Sequence, residues 1–214
     1  MKKTTVGILA ALAAVTAASG ASAQICAGFP TGDRQFTFGA NLLFPEGAEA
    51  GDIWGVEVSY NAQGPLGFFG GVTFFDDGED SEQSFGAGVA WELVSLGAMI
   101  GPSVSACPVV SFEYLDIDGF GSALAVPVGV GFGTNLSAGP GFSLSPYIIP
   151  AVIFSQFNPD DDLFPGADSE SDTNFGIDGG VLLGFGTFFI GGTIQHVFQD
   201  DADPTFGIRA GIRL

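Results

Sequence analysis

Apolar residues alternate with small or polar residues along ten short stretches of this 214-residue chain. In "DIWGVEVSYN", residues 52–61, every second side chain from Trp54 to Tyr60 is Trp, Val or Tyr, and those between are Gly, Glu or Ser. Successive side chains of a β-strand point to opposite faces, so this period predicts strands with one apolar face. The ten stretches are residues 34–44, 52–61, 66–75, 84–94, 104–115, 120–132, 142–155, 174–184, 187–198 and 205–214. Most have about the ten residues that a tilted strand needs to cross a bilayer.

The connections between these stretches fall into two chemical classes. The odd-numbered connections hold 19 of the 24 Asp and Glu residues, and the even-numbered ones hold none. Up-and-down antiparallel strands send alternate connections to opposite ends, so the acids would collect at one end. A soluble sandwich has no reason to sort its loops in this way, whereas a membrane-spanning barrel has two different sides. We therefore predict an all-β fold, an up-and-down antiparallel transmembrane β-barrel of ten strands, with eight strands as the alternative.

The first 23 residues have the anatomy of a secretory signal peptide. "MKK" provides a positive start, "VGILAALAAV" an apolar run and "ASA" before Gln24 a small-residue cleavage site. We predict a signal peptide at residues 1–23, an N-terminal periplasmic segment at 24–33 and the barrel at 34–214. After cleavage, three arginines stand against 24 carboxylates, a formal charge of −21. This balance excludes nucleic acid as a partner, since binding it requires a basic surface.

The chain has two cysteines, Cys26 and Cys107. Two cysteines in an exported protein favour a disulfide over a metal site. Cys26 would lie on the periplasmic side, and Cys107 begins a strand that rises from that side. The two can therefore meet without crossing the membrane, and we predict that they form a disulfide.

The signal peptide, the alternating strands, the short neutral turns and the ending "FGIRAGIRL" resemble small outer-membrane β-barrel proteins of Gram-negative bacteria. The superfamily is the broad one that includes the transmembrane domain of outer-membrane protein A, and the resemblance covers nearly all of the mature chain. It implies export to the outer membrane, contact with outer-membrane lipids, and recognition of the final strand by the barrel-assembly machinery. Leu214 stands where that strand usually ends in an aromatic residue.

An even number of strands places both termini in the periplasm and the acidic connections outside the cell. Aromatic residues near strand ends predict a girdle at the membrane interfaces, made of Trp54, Tyr60 and Trp91. The outward acids favour loose Ca²⁺ or Mg²⁺ binding, although the spacing of a built calcium loop is missing. The candidate residues for such binding are Asp76, Asp77, Asp80, Asp160, Asp161 and Asp162. No other cofactor is predicted.

The alternation of side chains along the strands also places a set of charged residues inside the barrel. They are Glu57, Glu92, Glu113, Asp178, Arg209 and Arg213. Arg209 would lie two strands from Glu57 on one side and two strands from Asp178 on the other, which predicts an arginine–carboxylate network. We expect this network to plug the lumen, with a filter or gate in a narrow pore as the alternative. Inward glycines such as Gly86 and Gly88 are attributed to the narrowness of the barrel.

No catalytic constellation is visible, and the protein is not expected to be an enzyme. His196 is the only histidine and falls on the outer face, and the chain has no G-x-S-x-G motif. We predict an integral outer-membrane barrel with a structural or narrow-channel role and acidic extracellular loops. The alternatives are a ligand-binding or adhesive barrel that acts through its external loops, and a soluble secreted β-protein.

Overall fold

The computed structural model describes residues 36–45, 52–61, 66–76, 81–91, 94–96, 104–117, 120–137, 141–160, 167–199 and 202–214. The predicted signal peptide (1–23) and N-terminal segment (24–33) lie outside these residues. The described residues form strands and tight turns. Within this part of the chain, no helix is long and apolar enough to cross a membrane.

The strands follow the predicted stretches closely. They are β1 (Phe36–Pro45), β2 (Asp52–Asn61), β3 (Leu66–Asp76), β4 (Ser81–Trp91), β5 (Val94–Leu96), β6 (Val104–Ile117), β7 (Gly121–Thr134), β8 (Leu136–Ser137), β9 (Phe142–Pro159), β10 (Glu170–Phe185), β11 (Phe188–Phe198) and β12 (Thr205–Arg213). The three-residue β5 continues the line of β4 along β6, and the two-residue β8 continues β7 along β9. The wall of the sheet therefore has ten strands.

The sheet closes on itself. Each wall strand pairs antiparallel with the next one in sequence, and β12 returns to pair with β1. Ala40 of β1, for example, lies opposite Val56 of β2 on one side and Ala210 of β12 on the other. Closure removes the exposed edges that an open sheet would present. The predicted up-and-down barrel of ten strands is confirmed, and the eight-strand alternative is wrong.

The antiparallel order also defines the two ends of the barrel. One end carries the connections that follow β1, β3, β6, β9 and β11, and we call it the acidic end because these connections hold most of the carboxylates. The other end, the neutral end, carries the remaining connections, the start of β1 and the end of β12. Its tightest turn is the two-residue Gly186–Thr187 between β10 and β11, where Gly186 has φ +60°, a value that two-residue hairpins favour and glycine adopts without strain.

The two faces of the wall differ as the alternation predicted. On β2, the outward Trp54, Val56 and Val58 are 44%, 48% and 40% exposed, whereas the intervening Glu57 and Ser59 are buried in the lumen. Inward glycines make this possible in so narrow a barrel. A Cβ atom added at Gly39, the neighbour of Glu57 on β1, would lie 2.8 Å from Glu57 Oε1. The glycine therefore provides the space that the Glu57 side chain occupies.

The hairpin formed by β9 and β10 is longer than the sequence predicted. The alternation ended at residue 155 and resumed at 174, but the strands extend to Pro159 and begin at Glu170. Asp172 lies opposite Ser155, and its carboxylate accepts hydrogen bonds from the Thr173 backbone at 2.7 Å and from Asn174 Nδ2 at 3.1 Å. These bonds and the backbone ladder hold a charged segment in a strand, so the connection itself is residues 160–169.

Candidate functional site

The lumen holds a cluster of polar side chains from five strands. Its members are Glu57 of β2, Tyr147 of β9, Asp178 of β10, Gln195 of β11 and Arg209 of β12, all of them buried. Glu57, Asp178 and Arg209 lie near the middle of their strands, Tyr147 towards the neutral end and Gln195 towards the acidic end. Each points inward because it alternates in step with the small inward residues of its strand.

Arg209 and Glu57 form the ion pair of this cluster. Arg209 Nη2 donates a hydrogen bond to Glu57 Oε2, and the Arg209 side chain is 2% exposed. β1 lies between the two strands and contributes Gly39 opposite Glu57 and Asn41 opposite Arg209. The small residue at 39 lets the two long side chains meet across one strand. A pair this deeply buried is costly to break, since the remaining partner would keep an uncompensated charge.

Asp178 adds a second carboxylate on the other side of Arg209. Gln195, its cross-strand neighbour on β11, donates from Nε2 to Asp178 Oδ2 at 3.2 Å. Asp178 also interacts electrostatically with Arg209 and with the Tyr147 hydroxyl. The guanidinium of Arg209 is thus bonded directly to Glu57 and attracts Asp178 at longer range.

The other charges predicted for the lumen network are placed differently. Glu113 is buried on β6, opposite Gly86 of β4, where a Cβ atom would come within 2.9 Å of Glu113 Cγ. Arg213 Nη2 donates to the Gly186 carbonyl at 2.8 Å and so binds the β10–β11 turn at the neutral end. Glu92 lies outside the described residues.

Apolar side chains fill the lumen towards both ends of the barrel. Towards the neutral end lie two clusters, one of Tyr147, Ile149, Leu182 and Phe189 and one of Phe69, Ala90, Cys107 and Val109. Towards the acidic end lie Leu115, Ile117, Ala123, Ala125 and Ile153, with Leu43 and Ile53 nearby in a further cluster. The polar cluster therefore lies between apolar layers.

A small cavity lies beside this cluster. It measures about 40 Å³ and is lined by the polar Ser111, Asp178, Gln195 and His196 together with apolar residues and glycines of β6, β7, β9, β10 and β11. A space of that size has room for roughly three water molecules.

Gln195 and Tyr147 are not among the lumen residues predicted above, although both contact Asp178: Gln195 by a hydrogen bond and Tyr147 through its hydroxyl. The sequence signal that could have paired Asp178 with Gln195 is the register of β10 and β11. Asp178 and Gln195 lie directly opposite each other only if β10 and β11 are joined by the two-residue Gly186–Thr187 turn.

The predicted girdle residues lie near the strand ends. Trp54 stacks on Phe74 near the acidic end, with ring centroids 4.2 Å apart. Tyr60 packs against Phe36 near the neutral end at 4.9 Å, and Trp91, also near that end, is 53% exposed.

The remaining candidate residues fall partly outside the described chain. Of the proposed ion-binding acids, Asp160 donates its backbone N–H to the Phe120 carbonyl at 3.0 Å. Asp76 ends β3, and the position of its side chain is not described, while Asp77, Asp80, Asp161 and Asp162 lie outside the described residues. Among the residues that are described, no three His, Cys, Asp or Glu side chains are grouped to hold a metal ion. Cys107 is buried on the inner face of β6. Cys26 lies outside the described residues, so the disulfide between the two cysteines stays a prediction.

No protein-family model and no curated protein matches the chain. It is similar to solved bacterial barrels. The N-terminal β-barrel domain of Pseudomonas aeruginosa OprF matches at 11% identity over 85% of this chain and 98% of that chain, with a TM-score of 0.41. Ail, the attachment invasion locus protein of Yersinia pestis, solved with the heparin analogue sucrose octasulfate, matches at 14% identity over 84% of this chain and 95% of that chain, with a TM-score of 0.33.

Proposed function

We propose that this protein is an integral outer-membrane β-barrel whose lumen is closed by the Arg209–Glu57 ion pair and the neighbouring Asp178. Its role is structural, with a narrow channel as the alternative when the network opens. The observation that carries this proposal is the inversion of the two faces, because a water-soluble domain buries its apolar side chains and exposes its charges.

The outer face supports a lipid environment. Large apolar side chains are exposed on all ten wall strands, and examples from successive strands are Leu42, Val56, Phe68, Phe85, Phe112, Val130, Phe154, Val181, Ile190 and Ile208. Soluble monomers rarely expose an apolar patch of more than a few hundred Å². A continuous band of this kind is stable against hydrocarbon and unstable against water. It argues against the soluble secreted alternative.

The orientation we propose places the acidic end outside the cell and the neutral end in the periplasm. An even number of strands sends both termini to one side, and bacterial barrels of this kind have short turns on the periplasmic side. Aromatic pairs lie near both ends of the outer face, such as Trp54 with Phe74 at the acidic end and Phe142 with Phe185 at the neutral end. Aromatic residues at both ends of the outer face are typical of barrels whose ends lie at two membrane interfaces.

Two measurements test this proposal. The protein should be extracted from the outer-membrane fraction by detergent and not by salt or alkaline washing. In planar bilayers it should show little or no conductance, because the ion pair lies between apolar layers. Recovery in the soluble periplasmic or culture fraction would contradict the membrane assignment, and a large steady conductance would contradict the plug.

The β9–β10 hairpin favours a second candidate function, binding or adhesion through the external end. At the acidic end, this hairpin carries the exposed Glu170 and Asp172, and the adjoining connection carries Asp168. β9 and β10 have 18 and 16 residues against 9 to 11 in β1 to β4, β11 and β12. Such an extension of the wall would present acids to divalent cations or to a basic partner.

A further inference from the structure

The hydrogen-bond ladder is interrupted on one side of the barrel, and every interruption among the described residues lies opposite a proline. On the β6–β7 seam, pairing stops at Val110 and resumes at Glu113. Two pairs are skipped, Ser111 opposite Pro127 and Phe112 opposite Val126. A proline has no N–H, so the Ser111 carbonyl loses its bond from β7.

The β7–β9 seam is interrupted twice. Pairing passes from Gly129–Ala151 directly to Phe132–Ile148, because Pro150 cannot donate to the Val130 carbonyl. Pro146 removes the corresponding donor nearer the neutral end, where β7 gives way to β8. Pro108 lies opposite Trp91, where the β4–β6 pairing ends. The other described seams run through their registers without a gap.

Two of these interruptions flank the same short segment of β7, residues 127–130, and the lumen cavity lies directly behind it. Pro127, Gly129 and Ala151 line the cavity together with Val109, Ile149 and Ile153. These side chains are small or apolar. The cavity is therefore separated from the outside by one weakly bonded strand segment.

The outer surface of this segment is a shallow valine patch. Val110, Val128, Val130 and Val152 are 39% to 43% exposed, and the bulkier Phe112, Phe132 and Phe154 stand around them. Here the side chains that face the membrane are short and the ladder lacks hydrogen bonds. A lipid acyl chain can therefore approach the lumen more closely at this wall than elsewhere.

We propose that the β6–β7–β9 wall is a lateral portal, through which the end of a lipid acyl chain reaches the lumen cavity. The inference rests on the proposed membrane location. At about 40 Å³ the cavity accepts a chain end only, and deeper entry requires the β7 segment to move outward. An acyl chain is the occupant because the wall faces lipid and most of the cavity lining is apolar or glycine, although Ser111, Asp178, Gln195 and His196 also line it.

The experiment uses the full protein in nanodiscs that contain a phospholipid with a diazirine at the end of one acyl chain. After illumination, adducts on β9 are assigned to single residues by mass spectrometry. Outward Val152 and Phe154 must be labelled in any membrane-embedded barrel and serve as the internal reference. The portal predicts additional adducts on the inward Ile149 and Ile153.

Pro150→Ala restores the missing N–H opposite Val130, and Pro146→Ala is the matched control on the same seam, away from the cavity. Pro150→Ala should lower the inward adducts about two- to tenfold, the population change expected for one regained hydrogen bond. Pro127→Ala should act in the same direction, and Pro146→Ala should change nothing. Outward adducts should stay constant in all variants.

Inward adducts that are absent from the native protein, or unchanged in Pro150→Ala, would overturn the portal. An equal loss in Pro146→Ala would also overturn it, since the effect would then be general stiffening of the wall. Loss of the outward adducts as well would instead contradict the membrane location, so the two proposals fail separately.

Discussion

The contacts that Glu57 and Asp178 make in the lumen depend on the residues opposite them on the neighbouring strands. Glu57 can extend towards Arg209 because both of its neighbours across the strands are glycines, Gly39 and Gly71. Asp178 has Gln195 in that place and so gains a hydrogen bond instead of space. The two inward carboxylates thus differ in their hydrogen bonds: Glu57 accepts from an arginine, and Asp178 accepts from an amide while Arg209 attracts it at longer range.

Replacing Arg209 tests the plug at this scale. Arg209→Ala leaves Glu57 buried without its cation and should lower the free energy of unfolding by roughly 3–5 kcal/mol. It should also raise conductance and favour cations, because Glu57 and Asp178 then dominate the lumen. Urea unfolding and planar-bilayer recording measure the two effects.

The control for Arg209→Ala is the double variant Glu57→Gln with Arg209→Gln. It removes both charges and truncates only position 209, where glutamine is smaller than arginine, so it should lose less stability than Arg209→Ala. If Arg209→Ala changes neither the unfolding free energy nor the conductance, Arg209 has no role in closing the lumen.

At the scale of a strand, the alternation of side chains decides which environment each residue meets. Val56 of β2 is 48% exposed on the outer face, near the middle of the strand. Gln83 of β4 is also outward but lies near the acidic end. The pair therefore compares two depths on one face.

Val56→Arg should cost about 2–4 kcal/mol of folding free energy, and Gln83→Arg only about 0–1 kcal/mol, because the penalty for a charge facing lipid falls towards the interface. Refolding into lipid vesicles at graded urea concentration measures both. Equal costs at the two positions would show that Val56 does not face the hydrocarbon.

The β9–β10 connection belongs to the same scale. Protease added to intact cells should cut within residues 160–169 while the barrel stays folded, because the connection carries four carboxylates without a nearby cation in sequence and lies at the proposed external end. Deleting residues 161–167 should leave assembly nearly unchanged. A matched deletion of 168–174 removes paired residues of β10 and should impair assembly. Cleavage confined to opened cells would reverse the proposed orientation.

At the scale of the whole molecule, the predicted disulfide would join the N-terminal segment to the barrel wall. Cys107 is buried on the inner face of β6 and is the fourth residue of that strand, counted from its beginning at the neutral end. A disulfide with Cys26 would draw the N-terminal segment into or under that end of the lumen. Because it closes a loop of about 80 residues, it should stabilise the protein by about 4 kcal/mol in the chain-entropy model.

Alkylation and mass spectrometry test this link in protein isolated without reductant. The native protein should show no free thiol, and Cys26→Ser should release Cys107, which should react with the reagent only after unfolding. Two alkylated cysteines in the native protein would exclude the disulfide.

The sequence by itself determined the strands, their faces and the sorting of the connections. These are local signals, since a period of two over about ten residues decides inward and outward without reference to any other strand. From them followed the ten-stranded closed barrel and the inward positions of Glu57, Asp178 and Arg209. The extent of β9 and β10 was underestimated, because the carboxylates near Asp172 read as a loop.

The tertiary structure decided which inward residues meet. Arg209 bonds directly to Glu57, Asp178 bonds to Gln195, and Arg213 binds a turn, although all of these side chains face inward. It also decided where Pro127 and Pro150 break the ladder. The reason is register: the partner of each residue depends on how neighbouring strands slide against each other until the whole sheet closes, and no single strand contains that information.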